Sequence, residues 1–371
     1  MKAQAAVLWK VGDPWSVEEV ELDDPERGEV RVRLKAAGLC HSDEHLVTGD
    51  MHVPLPIVGG HEGAGVVEQV GPGVTSLKPG DHVVLGFMPI CGRCRWCSIG
   101  RQNLCELGGQ LLAALGTGEL TPRIRSRGQD LATMCLLGTF CPYVVIPESA
   151  ALKIDSDVPL DKAALVGCGV TTGWGAAVYG ADVRPGDTVV VIGAGGVGVS
   201  AIQGARLAGA QRVIAVDPVE FKRQQAYAFG ATHVAPDVWQ ALPLVSDLTS
   251  GVLADKAIIA VGGRGCGDLI APVMALVARG GRAVVATVAP QAQTDVKLDL
   301  HELTVLEKEL RGCLFGSVNP HVDIPRILQL YRAGRLALDE LTTRTYRLED
   351  INQGYEDMRE GRTVRGVILF D

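Results

Sequence analysis

Four cysteines are concentrated in residues 91–105, where a shared metal ion would pin the backbone into a compact lobe. Two residues separate Cys91 from Cys94 and Cys94 from Cys97, and Cys105 follows eight positions later. This spacing suits four thiolates around a tetrahedral zinc ion, and a site closed by four protein ligands predicts a structural metal. Disulfides or buried free thiols are the alternative, which short Cys-x-x-Cys steps disfavour in a chain without secretory features.

The length, composition and charge favour an ordered globular protein and argue against nucleic-acid and membrane partners. A length of 371 residues predicts two domains, and a hydrophobic fraction of 47% with a charged fraction of 21% predicts an ordered globular chain. The formal charge of -8, without a long basic run, argues against a nucleic-acid partner or a membrane surface. The N-terminus lacks the apolar core of a signal peptide, and no apolar run approaches the roughly 20 residues of a membrane span. We therefore expect a cytoplasmic protein.

The spacing of short apolar segments divides the chain into two parts with different predicted secondary structure. In the first part, strands separated by Gly-Pro turns are expected at residues 30–34, 65–70 and 81–86. A long loop is expected over residues 106–133. In the second part, strands at 188–192 and 212–216 alternate with helices at 197–208 and 220–229. This alternation predicts a parallel sheet that is covered on both faces.

A glycine-rich turn, Gly193-Ala-Gly195-Gly196-Val197-Gly198, follows the strand expected at 188–192. Gly193 permits a tight turn, Gly195 lets the backbone approach a pyrophosphate, and Gly198 allows close helix packing. Asp217 comes 19 positions after Gly198, where its carboxylate can accept hydrogen bonds from ribose hydroxyls and would repel a 2′-phosphate. Because the next residue is Pro218 rather than arginine, the sequence predicts NAD rather than NADP.

A second group of metal-ligand residue types lies outside the cysteine-rich lobe of residues 91–105. The chain contains Cys40-His41-Ser42-Asp43-Glu44-His45, then Gly60-His61-Glu62-Gly63, and later Gly167-Cys168-Gly169-Val-Thr-Thr-Gly173. Each fragment alone is equally compatible with a buried thiol or a core histidine. Their spacing does not show that Cys40, His61 and Cys168 converge.

Taken together, these motifs resemble the zinc-dependent alcohol dehydrogenases of the medium-chain dehydrogenase/reductase family. The resemblance covers essentially the whole chain, because the five motifs occur in the family's order. It implies an α/β fold: a β-rich GroES-like catalytic domain plus a Rossmann cofactor domain with a doubly wound parallel sheet. The catalytic domain would comprise residues 1–170 and 314–371, with the zinc lobe at 91–105, and the NAD-binding domain would comprise residues 171–313.

The resemblance implies roles for the scattered motifs. Cys40, His61 and Cys168 would ligate a catalytic zinc ion and leave its fourth position open. Glu62 would lie behind the metal, either as a transient ligand or as a purely electrostatic partner. Asp43 would hold the second ring nitrogen of His61. With the structural site of the lobe, the expected cofactors are two zinc ions per subunit and NAD.

A proton relay is also implied. Zinc would act as a Lewis acid on the alcohol, and Ser42 would accept the alcohol proton. The proton would then pass through the cofactor ribose to His45 at the protein surface, where an imidazole suits the task. Hydride would pass from the alcohol carbon to the nicotinamide.

The remaining implied contacts surround the cofactor and the substrate. Those to NAD are His41, Thr172, Gly193, Gly195, Gly196, Val197, Gly198, Asp217, Lys222, Val261, Val288 and Arg365. Lys222 and Arg365 are also compatible with solvated surface charges. The implied substrate pocket is lined by Met51, Phe87, Leu136, Leu137 and Val288, and this apolar lining favours an aliphatic or aromatic primary alcohol.

Residues of the expected 106–133 loop could add charge to the pocket rim, the candidates being Arg123, Arg125 and Arg127. Four further cysteines match no ligand position and are expected to pack in the interior: Cys135, Cys141, Cys266 and Cys313.

Residues 94–105, 127–130 and 217–223 resemble a narrower branch, the nicotinoprotein alcohol dehydrogenases, which use nitroso dyes as artificial acceptors and are associated with mycofactocin. This branch implies NAD that stays bound and is reoxidised in place by a second substrate or an external redox carrier. Expected partners are a small-molecule alcohol or aldehyde and a second copy of the chain, as a homodimer or homotetramer.

Two alternatives stay open. A thiol-adduct formaldehyde dehydrogenase of the glutathione or mycothiol type would share the fold and cofactors but needs basic residues at the pocket rim. A non-catalytic NAD-binding module or a zinc-thiolate redox sensor would need no proton relay.

Overall fold

Strands in residues 1–108 and 122–371, the part of the chain that this computed structural model describes, form three sheets. The strands are β1 Lys2–Leu8, β2 Ser16–Leu22, β3 Glu29–Gly38, β4 Ile57–Val58, β5 Gly63–Val70, β6 His82–Leu85, β7 Ile124–Ser126, β8 Gln129–Asp130, β9 Ala132–Thr133, β10 Tyr143–Pro147, β11 Ala151–Ile154, β12 Thr188–Ile192, β13 Arg212–Val216, β14 His233–Ala235, β15 Ala254–Ile259, β16 Val277–Val285, β17 Glu309–Gly312, β18 Thr342–Tyr346 and β19 Arg365–Leu369.

Helices connect these strands. The α-helices in the same residues are α1 His41–Thr48, α2 Arg95–Ser98, α3 Leu160–Val166, α4 Gly169–Gly175, α5 Gly196–Leu207, α6 Glu220–Ala228, α7 Val238–Leu248, α8 Ile270–Leu276, α9 Leu300–Val305, α10 Pro320–Arg332 and α11 Ile351–Arg359. Among the described residues, we find no helix with the length and apolar character needed to cross a membrane.

Two sheets come mainly from the first part of the chain. Their strand orders are β8-β7-β2-β1-β4-β9 and β11-β6-β5-β3-β19-β18, and β10 also pairs with β3. Along β3, Val30, Val32 and Leu34 are buried and alternate with more exposed residues, as expected for a sheet with one packed face. The last strand, β19, pairs antiparallel with β3, so the end of the chain returns to the first part.

The third sheet is parallel throughout, with strand order β14-β13-β12-β15-β16-β17. All five residues of β12 are buried because helices cover both faces. Val189 and Val191 enter one apolar cluster and Val190 and Ile192 the other. This order is that of a Rossmann fold, in which ligands bind at the carboxyl ends of the strands where the order reverses.

Helix α4, which directly follows Cys168, packs unusually close to its neighbours. A Cβ added at Gly173 would lie 2.0 Å from the Val197 carbonyl oxygen, and one at Gly175 would lie 2.5 Å from the Gly316 carbonyl oxygen. Glycines in the Gly167–Gly173 motif and just after it therefore let α4 contact α5 and fix Cys168 beside the parallel sheet.

The expected secondary structure of the second part is confirmed. β12 and β13 have the predicted bounds, and α5 and α6 differ from prediction by at most one residue at each end. The long loop expected over residues 106–133 is wrong where it can be compared, because β7 and β8 form a hairpin and β9 follows. Arg127 and Gly128 both adopt positive φ at the turn, and β7 pairs with β2. Residues 109–121 of that expected loop lie outside the described residues.

Candidate active site

The four thiols of the cysteine-rich lobe meet in one place. Their sulfur atoms all lie within 4.8 Å of one another. Backbone N–H groups of Cys91 and Cys94 donate to the sulfurs of Cys105 and Cys91, each at 3.3 Å. Backbone hydrogen bonds lower the pKa of Cys94 to about 6, whereas burial raises the pKa of Cys97 to about 12. This donor set is chemically suited to tetrahedral zinc, which would deprotonate all four thiols.

Cys40, His61, Glu62 and Cys168 form a second cluster, with one potential ligand atom from each within 4.8 Å of the others. Cys40 stands at the N-terminus of α1, His61 and Glu62 precede β5, and Cys168 precedes α4. The structure therefore brings together the residues whose convergence the spacing could not show. Two thiols and an imidazole are the donors that zinc prefers, so this cluster also fits the metal.

Asp43 lies directly behind His61. Its Oδ2 is 3.0 Å from His61 Nδ1, and its Oδ1 accepts a hydrogen bond from the Gly60 backbone N–H at 2.8 Å. Because Nδ1 faces Asp43, Nε2 is the nitrogen left for a metal. Burial opposes a charged ring, but the charges of Asp43 and Cys40 raise the pKa of His61 well above its ordinary value. The same field would favour a metal cation.

Glu62 is fully buried, and it is paired with Arg365. Arg365 Nη2 donates to Glu62 Oε2 and to the Leu39 carbonyl oxygen, and Glu62 Oε1 accepts from the Gly169 backbone N–H at 3.0 Å. Burial raises the pKa of Glu62 even though Arg365 opposes that rise. A Cβ at Gly38 would lie 1.9 Å from Glu62 Oε2, so the close approach requires glycine there.

The relay residues lie beside this cluster, but His45 is not at the surface as expected. Ser42 Oγ is 3.7 Å from Cys40 Sγ. The His45 ring is only 3% exposed, because it packs edge-on against His41 at 5.2 Å and faces Asp50. The prediction of a surface histidine failed because the covering groups are distant in sequence, including Gly262 and Gly263.

The glycine-rich turn has the shape that a dinucleotide requires. Gly193 has a φ of 92°, and a Cβ at Gly198 would lie 1.8 Å from the Gly193 carbonyl oxygen. A Cβ at Gly195 would meet no atom within 4 Å, so that side of the turn is open to a ligand. Asp217 lies at the end of β13, and its two carboxylate oxygens accept from the backbone N–H groups of Ala194 and Val219. The turn and the carboxylate thus fit a bound dinucleotide.

The other expected cofactor contacts differ in their exposure. Thr172 is buried and Val288 is 40% exposed. His41 is exposed, and Lys222 and Val261 are half-buried. Arg365 is 6% exposed, which excludes the alternative of a solvated surface charge. A Cβ at Gly196 would lie 2.1 Å from Arg365 Cδ, so the arginine stem packs on the glycine-rich turn.

The expected pocket residues divide between the site and the core. The Phe87 ring lies 5.9 Å from the His61 ring and 4.3 Å from that of Phe315. Met51 and Leu136 are half-buried, whereas Leu137 is 2% exposed and belongs to the main apolar cluster.

Three arginines that were candidates for the pocket rim are not free charges, because each forms an ion pair with an acidic residue: Arg123, Arg125 and Arg127. Their partners are Glu26 and Glu29, Asp23 and Asp130, and Glu18, respectively. These acids belong to β2, β3, β8 or the segment between β2 and β3. The three arginines therefore do not supply the basic rim that a thiol-adduct formaldehyde dehydrogenase needs.

Several residues near the site had no predicted role. Asp50 contacts His45, Arg264 and Thr48. Glu44 accepts from Arg359 of α11 at 2.7 Å and ties α1 to the C-terminal part of the chain. No short-range pattern marks the pairs Asp50–Arg264 and Glu44–Arg359, since these partners are distant in sequence. The four leftover cysteines are free thiols, and burial raises the pKa of Cys135 to about 11.

Comparison with known proteins agrees with this geometry. Residues 26–156 match the family model "Alcohol dehydrogenase GroES-like domain", and residues 196–333 match "Zinc-binding dehydrogenase". The chain is 51% identical over 371 residues to alcohol dehydrogenase B of Mycobacterium tuberculosis, covering 100% of this chain and 99% of the relative. It is 49% identical over 369 residues to the NDMA-dependent alcohol dehydrogenase of Amycolatopsis methanolica, with the same coverage.

Solved structures show the same architecture. Benzyl alcohol dehydrogenase from Acinetobacter calcoaceticus is 31% identical with a TM-score of 0.91 and full coverage of both chains. An alcohol dehydrogenase zinc-binding domain protein from Burkholderia ambifaria is 33% identical with a TM-score of 0.92, covering 100% of this chain and 99% of that one. The chain belongs to the zinc-binding alcohol dehydrogenases of the medium-chain dehydrogenase/reductase family.

Proposed function

We propose that this alcohol dehydrogenase oxidises primary alcohols to aldehydes with NAD, and that it retains NAD and reoxidises it in place. The observation that carries the proposal is the convergence of Cys40, His61 and Cys168, with Ser42 3.7 Å from the Cys40 sulfur. A redox sensor or a passive NAD-binding module needs no hydroxyl beside the metal donors and no histidine beyond it. The relay residues therefore favour catalysis.

Cys40, His61 and Cys168 would hold the catalytic zinc ion, and the four cysteines of the lobe would hold the structural one, giving two per subunit. When bound, zinc supplies a Lewis acid that makes the alcohol more acidic, and NAD supplies the hydride acceptor. Asp43 keeps the His61 ring in one orientation. Glu62, with one oxygen on Gly169 N–H and the other on Arg365, acts as an electrostatic partner rather than a free ligand.

The proton is moved by the chain's own residues. Ser42 Oγ accepts the alcohol proton because this hydroxyl lies 3.7 Å from the Cys40 sulfur, beside the metal donors. His45 receives it next, since its Nδ1 faces Asp50 while its Nε2 points toward Gly262. His45 is buried and Ser42 is half-buried, so a proton that passes between them is partly shielded from bulk water.

NAD is held by the glycine-rich turn and by Asp217. The turn leaves Gly195 open, and Asp217 sits where its carboxylate can accept from ribose hydroxyls while repelling a 2′-phosphate. Retention of the cofactor is supported by the branch motifs and by 49% identity to a relative named NDMA-dependent alcohol dehydrogenase. An external redox carrier or a second substrate would then reoxidise NADH in the site.

An apolar primary alcohol suits the expected lining of Met51, Phe87, Leu136, Leu137 and Val288, of which the Phe87 ring lies 5.9 Å from the His61 ring. Benzyl alcohol is a rational test substrate, since a solved relative carries the name benzyl alcohol dehydrogenase. The thiol-adduct alternative is not favoured, because the three arginines proposed for the rim are paired with acidic side chains.

The family further suggests a homodimer or homotetramer in the cytoplasm. It also suggests a catalytic domain of residues 1–170 and 314–371 around a cofactor domain of residues 171–313. These assignments are proposals that sedimentation and limited proteolysis would test.

The deciding experiment follows reduced-nicotinamide absorbance when purified protein is mixed anaerobically with benzyl alcohol and no added NAD. We expect a burst stoichiometric with bound cofactor, followed by turnover when a nitroso dye is added. Cys40→Ala is the matched negative control and should abolish the burst. Turnover that needs added NAD, without a burst, would contradict cofactor retention. Activity that survives in Cys40→Ala would contradict the zinc mechanism.

A further inference from the structure

His45 has two different nitrogen environments. Nδ1 lies 3.4 Å from Asp50 Oδ2, at the long end of the hydrogen-bond range. Nε2 points toward Gly262, where an added Cβ would lie 3.6 Å away. The side chain of His45 is only 4% exposed, and that of Asp50 is 10% exposed. A proton that reaches His45 therefore meets Asp50 before it meets solvent.

Asp50 is itself held in place from two sides. Thr48 Oγ1 donates to Asp50 Oδ2 at 2.7 Å, and Arg264 Nε donates to Asp50 Oδ1 at 3.2 Å. The Thr48 hydrogen bond, with Arg264 in support, lowers the pKa of Asp50. An ionised carboxylate only accepts hydrogen bonds, so the neutral His45 ring carries its proton on Nδ1. Nε2 is then the basic nitrogen, on the side away from Asp50.

The groups that hold Asp50 come from both parts of the chain. Arg264 follows β15 of the parallel sheet, and the Gln291 backbone N–H donates to the Asp50 carbonyl oxygen at 3.0 Å. Gln291 Oε1 also accepts from the His52 backbone N–H at 3.2 Å. These bonds span the cleft between the GroES-like part and the Rossmann part. Asp50 is therefore held by Thr48 from its own part of the chain and by Arg264 and Gln291 from the Rossmann part.

A cavity of about 450 Å³ adjoins Asp50, and none of Cys40, His61 and Cys168 is among its lining residues. It is lined by Gly49, Asp50, His52, Arg264, Gly265, Pro290, Ala292, Gln293 and Asp295. The charged and titratable groups around the His45–Asp50 pair are thus His41 on α1, His52 after it, and Arg264 and Asp295 from the Rossmann part. A cavity of this size and polarity admits water, which gives the relay an outlet.

We propose that Asp50 is a positioning residue of the proton relay, which fixes His45 with Nε2 as the base and, through Arg264 and Gln291, connects the relay to the contact between the two parts of the chain. This inference rests on the proposed function, since it assumes that His45 carries the alcohol proton. Asp50 lies outside the motifs from which the relay was predicted.

The test compares Asp50→Asn, Asp50→Glu and the wild-type holoenzyme in benzyl alcohol oxidation with a nitroso dye, from about pH 6 to pH 10. An asparagine amide can donate to Nδ1 and stabilise the wrong tautomer, so kcat of Asp50→Asn should fall about tenfold or more near pH 7. KM should change little, and the deficit should shrink toward pH 10, where hydroxide removes the proton. Asp50→Glu should recover part of the rate. Asp295→Asn removes a charge from the same cavity without contacting His45 and should behave as wild type.

Equal pH profiles for Asp50→Asn and wild type would overturn the proposal. So would a loss of activity that is the same at every pH, or one that accompanies loss of bound NAD or a lower melting temperature, because those results indicate a structural role. If the wild-type protein shows neither a burst nor dye-dependent turnover, the proposed function itself fails, and that result is distinct from either outcome above.

Discussion

Replacement of Arg365 by methionine tests how the buried charge of Glu62 is compensated. The Glu62 side chain is 0% exposed and that of Arg365 is 6% exposed, and both contact backbone groups as well as each other. Removing one partner of a buried ion pair costs about 3–5 kcal/mol because the other charge is left without compensation. For a chain of 371 residues, an unfolding entropy of roughly 2.1 cal/mol/K per residue converts this into a fall of about 4–6 °C in Tm.

The stability lost on replacing Arg365 by methionine should depend on pH. Burial raises the pKa of Glu62 above that of an unfolded-chain glutamate, about 4.3. The folded state then binds the proton more tightly than the unfolded state, so this group's contribution to stability falls as pH rises above that value. Arg365 limits the fall. The deficit of Arg365→Met relative to wild type should therefore be larger near pH 8 than near pH 5.

The assay is thermal unfolding followed by circular dichroism at both pH values. Arg332→Met is the matched control, because Arg332 is 44% exposed and pairs only with exposed acids, so its loss should cost less than about 1 kcal/mol. Adding Glu62→Gln to Arg365→Met should restore part of the stability. A single variant that melts within about 1 °C of wild type near pH 8, or a double variant less stable than the single one, would refute the account.

Four other substitutions test the metal lobe, the dinucleotide turn and a buried carboxylate. Cys97→Ser should lower the zinc content measured by mass spectrometry from the proposed two ions per subunit to one and lower Tm, because a structural zinc site contributes to folding directly. Gly198→Ala should destabilise the fold, since its Cβ would lie 1.8 Å from the Gly193 carbonyl oxygen. Gly195→Ala should instead fold normally and lose bound NAD, which is measured in the protein after purification. Hydrogen bonds lower the pKa of the buried Asp357 carboxyl despite the opposing effect of burial. Its contribution to stability is therefore present above about pH 4 and lost as pH falls. The difference in the free energy of unfolding in urea between wild type and Asp357→Asn should narrow toward pH 3.

Local sequence information was sufficient where the structure is locally determined. The apolar run of β12, the glycine-rich turn and the helix after it occupy adjacent residues, so periodicity and turn chemistry predicted all three. The four thiols of the lobe likewise lie close in sequence and meet in space. In contrast, the hairpin of β7 and β8 depends on a turn in which Arg127 and Gly128 both have positive φ values. Composition alone had suggested that these residues belong to a loop.

Local sequence patterns could not predict contacts between residues that are distant in the chain. Arg264 and Asp50 are 214 residues apart, and Arg365 and Glu62 are 303 residues apart. The burial of His45 depends on backbone near Gly262 that only the folded chain brings close. For the same reason, the convergence of the second ligand cluster was expected only from family resemblance and not from spacing.

Arg365 connects the two parts of the site through direct contacts. Its stem packs on Gly196 of the glycine-rich turn, and its guanidinium group donates to Glu62. Glu62 in turn accepts from the N–H of Gly169, the residue that follows Cys168. Because Glu62 and Arg365 are buried, we expect a shift of the turn to be passed through them to the residue beside the metal donor. The C-terminal strand β19 therefore does more than complete a sheet: by carrying Arg365 back to the cleft, it makes the geometry of the metal cluster and that of the dinucleotide turn depend on one side chain.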